Sequence, residues 1–272
     1  MPEGPEIRRA ADQIETAIGG RITTTVEFHL PALKRWEGPL SGVRVLRVDT
    51  RGKAMLTRFA NGLTLYSHNQ LYGRWYCVAR GHLPETGRRL RVAIHTRAHS
   101  ALLYSASEIR VLREDEVERH PFLSRLGPDI LGLDASQTLH RLTDPRFHRR
   151  QLGTLLTDQA FVAGIGNYLR CEILFHCRLH PRLRPSDLTP SQQEVLAGAM
   201  VELPRRSYAT GGITNDRQRA ARLMDKGATF EQARFLVYRR EGLPCYRCTA
   251  PILKVRHSGQ GCYLCPRCQP TR

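Results

Sequence analysis

Two residues at the start of the chain could attack a carbon electrophile and then transfer a proton. Pro2 has the small side chain that permits removal of Met1, and that removal would leave a secondary amine at the N-terminus. Such an amine can form a cationic iminium with a carbon electrophile, and Glu3 beside it can carry a proton. The alternative is that these residues simply start a helix, because proline and acidic residues are both favoured in its first turn. Taken by itself, the dipeptide favours this second interpretation.

The charge of the chain indicates a polyanionic partner. The 272 residues include 42 Lys and Arg against 25 Asp and Glu, a formal net charge of +17. Nucleic acid is the leading candidate. A membrane surface is the competing one, but the basic residues are spread over the whole chain and no apolar run reaches the roughly 18 residues of a transmembrane span. The charged N-terminus lacks the apolar core of a signal peptide, so we expect a cytoplasmic protein.

Hydrophobic periodicity predicts a two-domain α+β protein. Apolar residues at helical spacing predict a helix over 5–18, directly behind Pro2. Short alternating segments then predict an antiparallel sandwich or barrel, and apolar periodicity predicts helices in the second half. The predicted strands are 24–30, 43–49, 54–59, 63–67, 74–78, 90–95 and 102–105, and the later helices are 136–142, 149–163, 168–177 and 191–203. The basic segment 204–227 is expected to be a mobile loop.

Two turns in the strand-rich half carry candidate nucleic-acid contacts. Lys53 lies in a tight basic turn between two predicted strands, where it is either a fixed cation or an ordinary solvated charge. Gln70, Leu71 and Tyr72 follow another strand. Their amide, apolar and aromatic side chains suit insertion between base pairs, but Leu71 and Tyr72 would equally suit the core.

A glycine-rich turn separates two predicted helices in the second half. In the segment 164–167, the glycines let backbone N–H groups converge at the start of the second helix, and Asn167 adds a side-chain donor. A phosphate is a typical ligand of such a helix N-terminus. The same sequence also suits an ordinary helix cap, so this turn is a weak signal alone.

The C-terminal cysteines form the strongest local motif. Two C-x-x-C pairs with sixteen residues between them match the spacing of a zinc ribbon, which would bind one structural Zn²⁺. Because Cys262 forms another C-x-x-C with Cys265, spacing alone does not settle the ligand set. We favour the pairs whose turns resemble each other: Cys245 with Cys248, and Cys265 with Cys268.

Together, and in this order, these motifs resemble the formamidopyrimidine-DNA glycosylase and endonuclease VIII family over essentially the full length, with bacterial endonuclease VIII as the closest branch. The resemblance rests on the runs 2–10, 50–53, 66–73 and 164–170 and on the cysteine quartet. It implies a β-sandwich catalytic domain at 1–118, a hinge at 119–134, a helix-two-turn-helix DNA-binding domain at 135–234 and a zinc finger at 235–272. The implied partner is damaged double-stranded DNA, bound by a monomer.

The resemblance also implies roles for individual residues. Pro2 matches the nucleophile that attacks C1′ of the damaged nucleotide, Glu3 the acid/base group and Glu6 an acidic residue that supports the site. Lys53 matches a lysine that donates a proton in β-elimination and contacts phosphate. The residues that match DNA contacts are Gln70, Leu71 and Tyr72, which fill the gap left by the flipped lesion, and Arg125 and Asn167, which contact the backbone.

One departure from the family pattern concerns the finger hairpin. Where the family has an arginine that grips the phosphates of the lesion, this chain has Gln260, and Arg256 is the nearest candidate substitute. An amide lacks the charge of a bidentate arginine–phosphate pair, so we expect a weaker phosphate contact and a stall after β-elimination.

The implied activity is a bifunctional glycosylase and abasic-site lyase acting on oxidised pyrimidines. Two alternatives stay open: the same chemistry on oxidised purines, and a DNA-binding protein that has lost turnover.

Overall fold

The computed structural model describes residues 2–257 and 259–271, which form two compact units. The first unit contains Pro2 and residues 6–125, and the second contains Glu3–Pro5 and the chain from Leu126 onward. The division after Arg125 falls inside the predicted hinge. No helix in the described part of the chain combines the length and the apolar composition needed to cross a membrane.

The first unit is an antiparallel sandwich with one long helix, as predicted. Helix α1 (Gly4–Ile18) buries Ile7, Ile14 and Ile18 in a core that both sheets share. The sheets have the strand orders β1-β6-β7-β5 and β2-β3-β4-β8. The strands are β1 (Thr25–Phe28), β2 (Val45–Arg51), β3 (Ala54–Phe59), β4 (Leu63–His68), β5 (Arg74–Ala79), β6 (Leu90–His95), β7 (His99–Tyr104) and β8 (Glu108–Arg113).

Four elements of this unit were not predicted from the sequence. Strand β8 completes the second sheet by pairing with β4, and its alternation of buried Ile109 and Val111 with charged residues is a period-two signal that could have been recognised. A 3₁₀ helix (Pro31–Trp36) and the short helix α2 (Glu37–Leu40) connect β1 to β2. After β8, helix α3 (Glu114–Arg119) leads towards the end of the unit.

The second unit is helical and ends in a β-hairpin. Its apolar core is built mainly from α4, α6 and α7. The elements are α4 (Ala135–Thr143), α5 (Leu152–Leu155), α6 (Asn167–His176), α7 (Pro190–Thr210), α8 (Arg217–Asp225), α9 (Phe230–Ala233), β9 (Leu253–His257) and β10 (Gln260–Leu264).

Two predictions for this unit are wrong. The helix predicted over 149–163 is confined to α5, because side chains beyond it bind the backbone: Asp158 accepts from the Ala160 N–H and Gln159 from the Gly164 N–H. The mobile loop predicted over 204–227 is largely helical. Helix α7 continues through Pro204, since Leu203 and Ser207 on either side are fully buried, and α8 follows it.

A buried carboxylate fixes the segment that leads to the hairpin. Glu172 on α6 is fully buried and accepts hydrogen bonds from the Thr214 hydroxyl at 2.7 Å and from the N–H groups of Leu236, Val237 and Tyr238 at 2.8, 2.8 and 2.9 Å. Burial raises the pKa of Glu172, although these hydrogen bonds act in the opposite direction. Four donors on one carboxylate therefore hold residues 236–238 against α6.

Candidate functional site

The carboxylate of Glu3 is bound at the N-terminus of α6. It is 3% exposed, and it accepts hydrogen bonds from the N–H groups of Gly166 at 2.6 Å, Tyr168 at 2.8 Å and Leu169 at 3.3 Å. A helix leaves its first N–H groups without intrahelical partners, and its dipole favours negative charge there. The anion at this turn is therefore the chain's own Glu3, where the sequence had suggested a phosphate.

The glycines of this turn make room for Glu3. A Cβ built on Gly166 would lie 2.5 Å from the carboxylate carbon and from Oε1 of Glu3. Gly164 has φ +102°, which residues with a side chain rarely adopt, and its carbonyl accepts the Gly4 N–H at 2.8 Å. The turn thus holds both the backbone and the side chain of the N-terminal segment.

Asn167 connects α6 to the C-terminal hairpin. Its Nδ2 donates to the Gly261 carbonyl on β10 at 2.9 Å, and its Oδ1 accepts from the Arg170 guanidinium. Arg170 is fully buried and donates also to the Gly153 carbonyl at 2.9 Å. Arg170 was not among the predicted site residues, although a charged residue within an apolar helical run was a visible signal.

The four cysteines predicted to bind metal come together at the base of the hairpin. Their Sγ atoms all lie within 4.8 Å of one another, and the N–H groups of Arg247 and Cys268 each donate to a cluster sulfur at 3.4 Å. This arrangement can hold one metal ion with four thiolates. The members are Cys245, Cys248, Cys265 and Cys268, the same four cysteines that the sequence favoured.

Cys262 lies outside this cluster. Its Sγ is 3.9 Å from the Sγ of Cys171 on α6, and both side chains are buried. Cys262 is therefore not part of the four-cysteine group, although its spacing from Cys265 resembles that of a ligand pair.

Lys53 lies in the turn between β2 and β3 in the first unit. Gly52 in this turn has φ +60°, which closes the tight connection between the paired strands. Arg51 is held by Glu118 at 2.6 Å. Lys53 is half-buried. Burial lowers the pKa of His68 on β4. The Glu108 charge acts in the opposite direction, and the Lys53 charge acts in the same direction as burial.

The loop after β4 presents apolar side chains outward. Leu71 is 60% exposed and Tyr72 is 69% exposed, so in the described structure they do not enter the core. Gln70 has φ +47°, a left-handed conformation that costs energy in a residue with a side chain. Its amide donates to Glu108 at 3.2 Å and accepts from the Ser107 hydroxyl at 3.1 Å. These hydrogen bonds hold Gln70 in its strained conformation.

Glu108 was not among the residues predicted from the sequence. Besides Gln70, its carboxylate accepts a hydrogen bond from the Tyr66 hydroxyl at 3.1 Å. Burial, and then the Glu108 charge, raises the pKa of Tyr66 above its ordinary value. Tyr66 therefore stays protonated and orients the carboxylate that holds Gln70.

The remaining predicted residues lie in several places. Pro2 and Glu6 are half-buried, and Arg125 is exposed at the end of a 3₁₀ helix (Leu123–Arg125). Gln260 and Arg256 are both exposed on the hairpin, where Gln260 begins β10 and Arg256 lies on β9.

Comparisons with known proteins agree with this architecture. The family model for the formamidopyrimidine-DNA glycosylase N-terminal domain matches residues 1–110, and that for the formamidopyrimidine-DNA glycosylase H2TH domain matches 126–218. The chain is 48% identical to Endonuclease 8 of Salmonella arizonae and 49% identical to that of Escherichia coli O9:H4, in each case over 99% of this chain and 100% of the relative.

Solved structures show the same fold at lower identity. The structure of MutM in complex with DNA containing carbocyclic 8-oxo-G has a TM-score of 0.79 at 21% identity. The Lactococcus lactis Fpg complex with DNA containing an abasic site has a TM-score of 0.80 at 20% identity. Each match covers 99% of this chain and 100% of the other chain.

Proposed function

Because the chain belongs to the formamidopyrimidine-DNA glycosylase family of DNA glycosylases and abasic-site lyases, we propose that it removes oxidised pyrimidines from damaged double-stranded DNA and then cuts the backbone. The observation that carries this proposal is the fixed carboxylate of Glu3, beside Pro2 in the chain, with three N–H donors from the start of α6. A general acid/base must be held in place, and these three hydrogen bonds hold the carboxylate of Glu3.

In the proposed reaction, the amine of trimmed Pro2 attacks C1′ of the damaged nucleotide. The C1′–N bond to the base breaks. The C1′–O4′ bond then opens with a proton delivered to O4′, and the iminium formed at C1′ withdraws electrons from C2′. Loss of a C2′ proton then breaks the bond to the 3′ phosphate, which is β-elimination. Glu3 carries protons between these steps, Glu6 supports the site, and Lys53 donates a proton during elimination and contacts phosphate.

The exposed loop supports recognition of a duplex. A base within the stack hides C1′, so the nucleotide must be flipped out at a cost of a few kcal/mol, on the order of one unstacked step. We assign Leu71 and Tyr72 to the space that the flipped base leaves, with Gln70 beside them. Their outward exposure is what such insertion requires. Arg125 and Asn167 are assigned to the DNA backbone, in keeping with the net charge of +17.

The metal of the cysteine cluster is proposed to be one structural Zn²⁺. Four thiolates fill a tetrahedral site and leave no position for a reactive water, so the ion stabilises the hairpin and takes no part in bond cleavage. The hairpin is a two-stranded ribbon, which is marginally stable by itself, and thus depends on such an ion.

Borohydride trapping tests the proposed nucleophile. Trimmed protein is incubated with an abasic duplex and reduced, and the covalent adduct is digested with trypsin. We expect the sugar on Pro2, in the peptide 2–8. A chain carrying one uncleavable residue before Pro2 is the matched control, because its proline nitrogen is an amide, and it should give no adduct. Absence of an adduct from trimmed protein, or an adduct on another residue, would overturn the assignment.

The preference for pyrimidines is tested separately. It rests on the 48–49% identity to Endonuclease 8 over the whole chain. Matched duplexes containing thymine glycol or 8-oxoguanine are compared under single-turnover conditions. We expect faster excision of thymine glycol, whereas faster excision of 8-oxoguanine would assign the chain to the purine-specific chemistry.

A further inference from the structure

Two buried thiols face each other between α6 and the C-terminal hairpin. Cys171 on α6 is 0% exposed, Cys262 on β10 is 1% exposed, and their Sγ atoms are 3.9 Å apart. The Tyr263 N–H donates to the Cys171 sulfur at 3.3 Å. Neither thiol belongs to the four-cysteine metal cluster, and neither is used in the proposed reaction with DNA.

The surrounding hydrogen bonds keep these sulfurs close to one another. Asn167, one helical turn before Cys171, donates to the carbonyl of Gly261, which directly precedes Cys262. A disulfide needs a sulfur–sulfur distance of about 2.05 Å, so the two side chains need to close by roughly 2 Å in total. The backbone elements that carry them are already adjacent.

We propose that Cys171 and Cys262 are an oxidation site at which a hydroperoxide converts the two thiols to a disulfide. The Cys262 sulfur attacks the peroxide oxygen, the O–O bond breaks, and a sulfenic acid and water form when the oxidant is hydrogen peroxide. The Cys171 sulfur then attacks the Cys262 sulfur. The S–S bond forms, the S–O bond breaks, and the leaving hydroxide takes the Cys171 proton to give a second water.

The charges around the pair are consistent with this order of attack. A hydrogen bond from the Cys171 thiol, helped by the Arg170 guanidinium, lowers the pKa of Cys262 against the effect of burial. Burial raises the pKa of Cys171. Cys262 therefore loses its proton more readily than Cys171 and is the more nucleophilic sulfur of the pair. The product would join β10 covalently to α6 beside the Asn167–Gly261 hydrogen bond.

The experiment uses the full-length, zinc-loaded protein with hydrogen peroxide. Remaining thiols are alkylated, and the protein is digested with trypsin under non-reducing conditions. We expect peptides 171–178 and 257–267 to appear as one linked species that separates on reduction, with two fewer alkylated thiols per chain and no loss of zinc. Peptide 171–178 also contains Cys177, and peptide 257–267 also contains Cys265, so variants must identify the partners.

Three variants make that identification. Cys177→Ser should keep the linked species, whereas Cys262→Ser and Cys171→Ser should each abolish it. The proposal is overturned if peroxide leaves wild-type Cys171 and Cys262 unlinked while oxidising other thiols. It is equally overturned if the link joins Cys265 and forms only as zinc is released, or if Cys177→Ser removes it.

Discussion

A single methyl group at position 166 should displace the proposed acid/base carboxylate. In Gly166→Ala, the new Cβ would lie 2.5 Å from both Cδ and Oε1 of Glu3 and 2.8 Å from its Cγ. Ordinary contacts begin near 3.4 Å, so the carboxylate must retreat by about 1 Å. The backbone itself should accept alanine, because Gly166 has φ −130°.

The size of the effect follows from the hydrogen bonds that the retreat disrupts. Those from Gly166 and Tyr168, at 2.6 and 2.8 Å, are the two shortest that Glu3 accepts from the start of α6. Hydrogen bonds to a charged group contribute about 1.5–3 kcal/mol each, so we expect the loss of both to lower the free energy of unfolding by roughly 3–6 kcal/mol. A catalytic group misplaced by about 1 Å costs on the order of 10²-fold in rate.

The assay is single-turnover cleavage of a thymine-glycol duplex at saturating enzyme, at a temperature where both proteins are folded. We expect Gly166→Ala to reduce the rate about 100-fold, towards that of Glu3→Gln, with DNA affinity reduced much less. Gly198→Ala is the matched control, because a Cβ there meets nothing within 4 Å and alanine suits the interior of α7. A Gly166→Ala rate within about threefold of wild type would refute the positioning role assigned to this turn.

Three further predictions concern the loop and the hairpin. Leu71→Ala should leave the melting temperature unchanged but slow duplex cleavage about tenfold, while an equal loss on single-stranded substrate would contradict its role in flipping. Gln260→Arg should increase the fraction of δ-elimination product on gels. An unchanged product ratio would show that Gln260 does not limit δ-elimination. Cys248→Ser should lower zinc content and speed hydrogen exchange over 253–264; full zinc retention would exclude it as a ligand.

Much of the fold was predictable because its signals are local. The apolar spacing of α1 and the short segments rich in Val, Leu and Thr that form β1–β7 are both visible in consecutive residues. One exception is a place where burial in the core overrode a local preference. Pro204 usually marks the end of a helix, but α7 continues past it because the flanking residues are buried in the core.

The site was predictable in its residue types and less so in its contacts. The four cysteines come from two short repeats with a familiar spacing, so their grouping was visible in the sequence. The contact between Glu3 and the start of α6 joins positions more than 160 residues apart, so no local sequence pattern indicates it. The same holds for Glu108, which holds Gln70 across a sequence separation of 38 residues.

The separation between Glu3 and its donors has a consequence during synthesis. The hydrogen bonds to Glu3 span 163 to 166 residues. The ribosome therefore synthesises the residues that donate them long after it has synthesised Pro2. At about 5–20 residues per second, the interval is roughly 10–30 s. A nascent chain would therefore pass through a period in which the N-terminal amine is exposed to trimming while its carboxylate is unanchored. Under the proposed mechanism, completion of α6 is the event that turns a chemically ordinary N-terminus into a positioned reactive group.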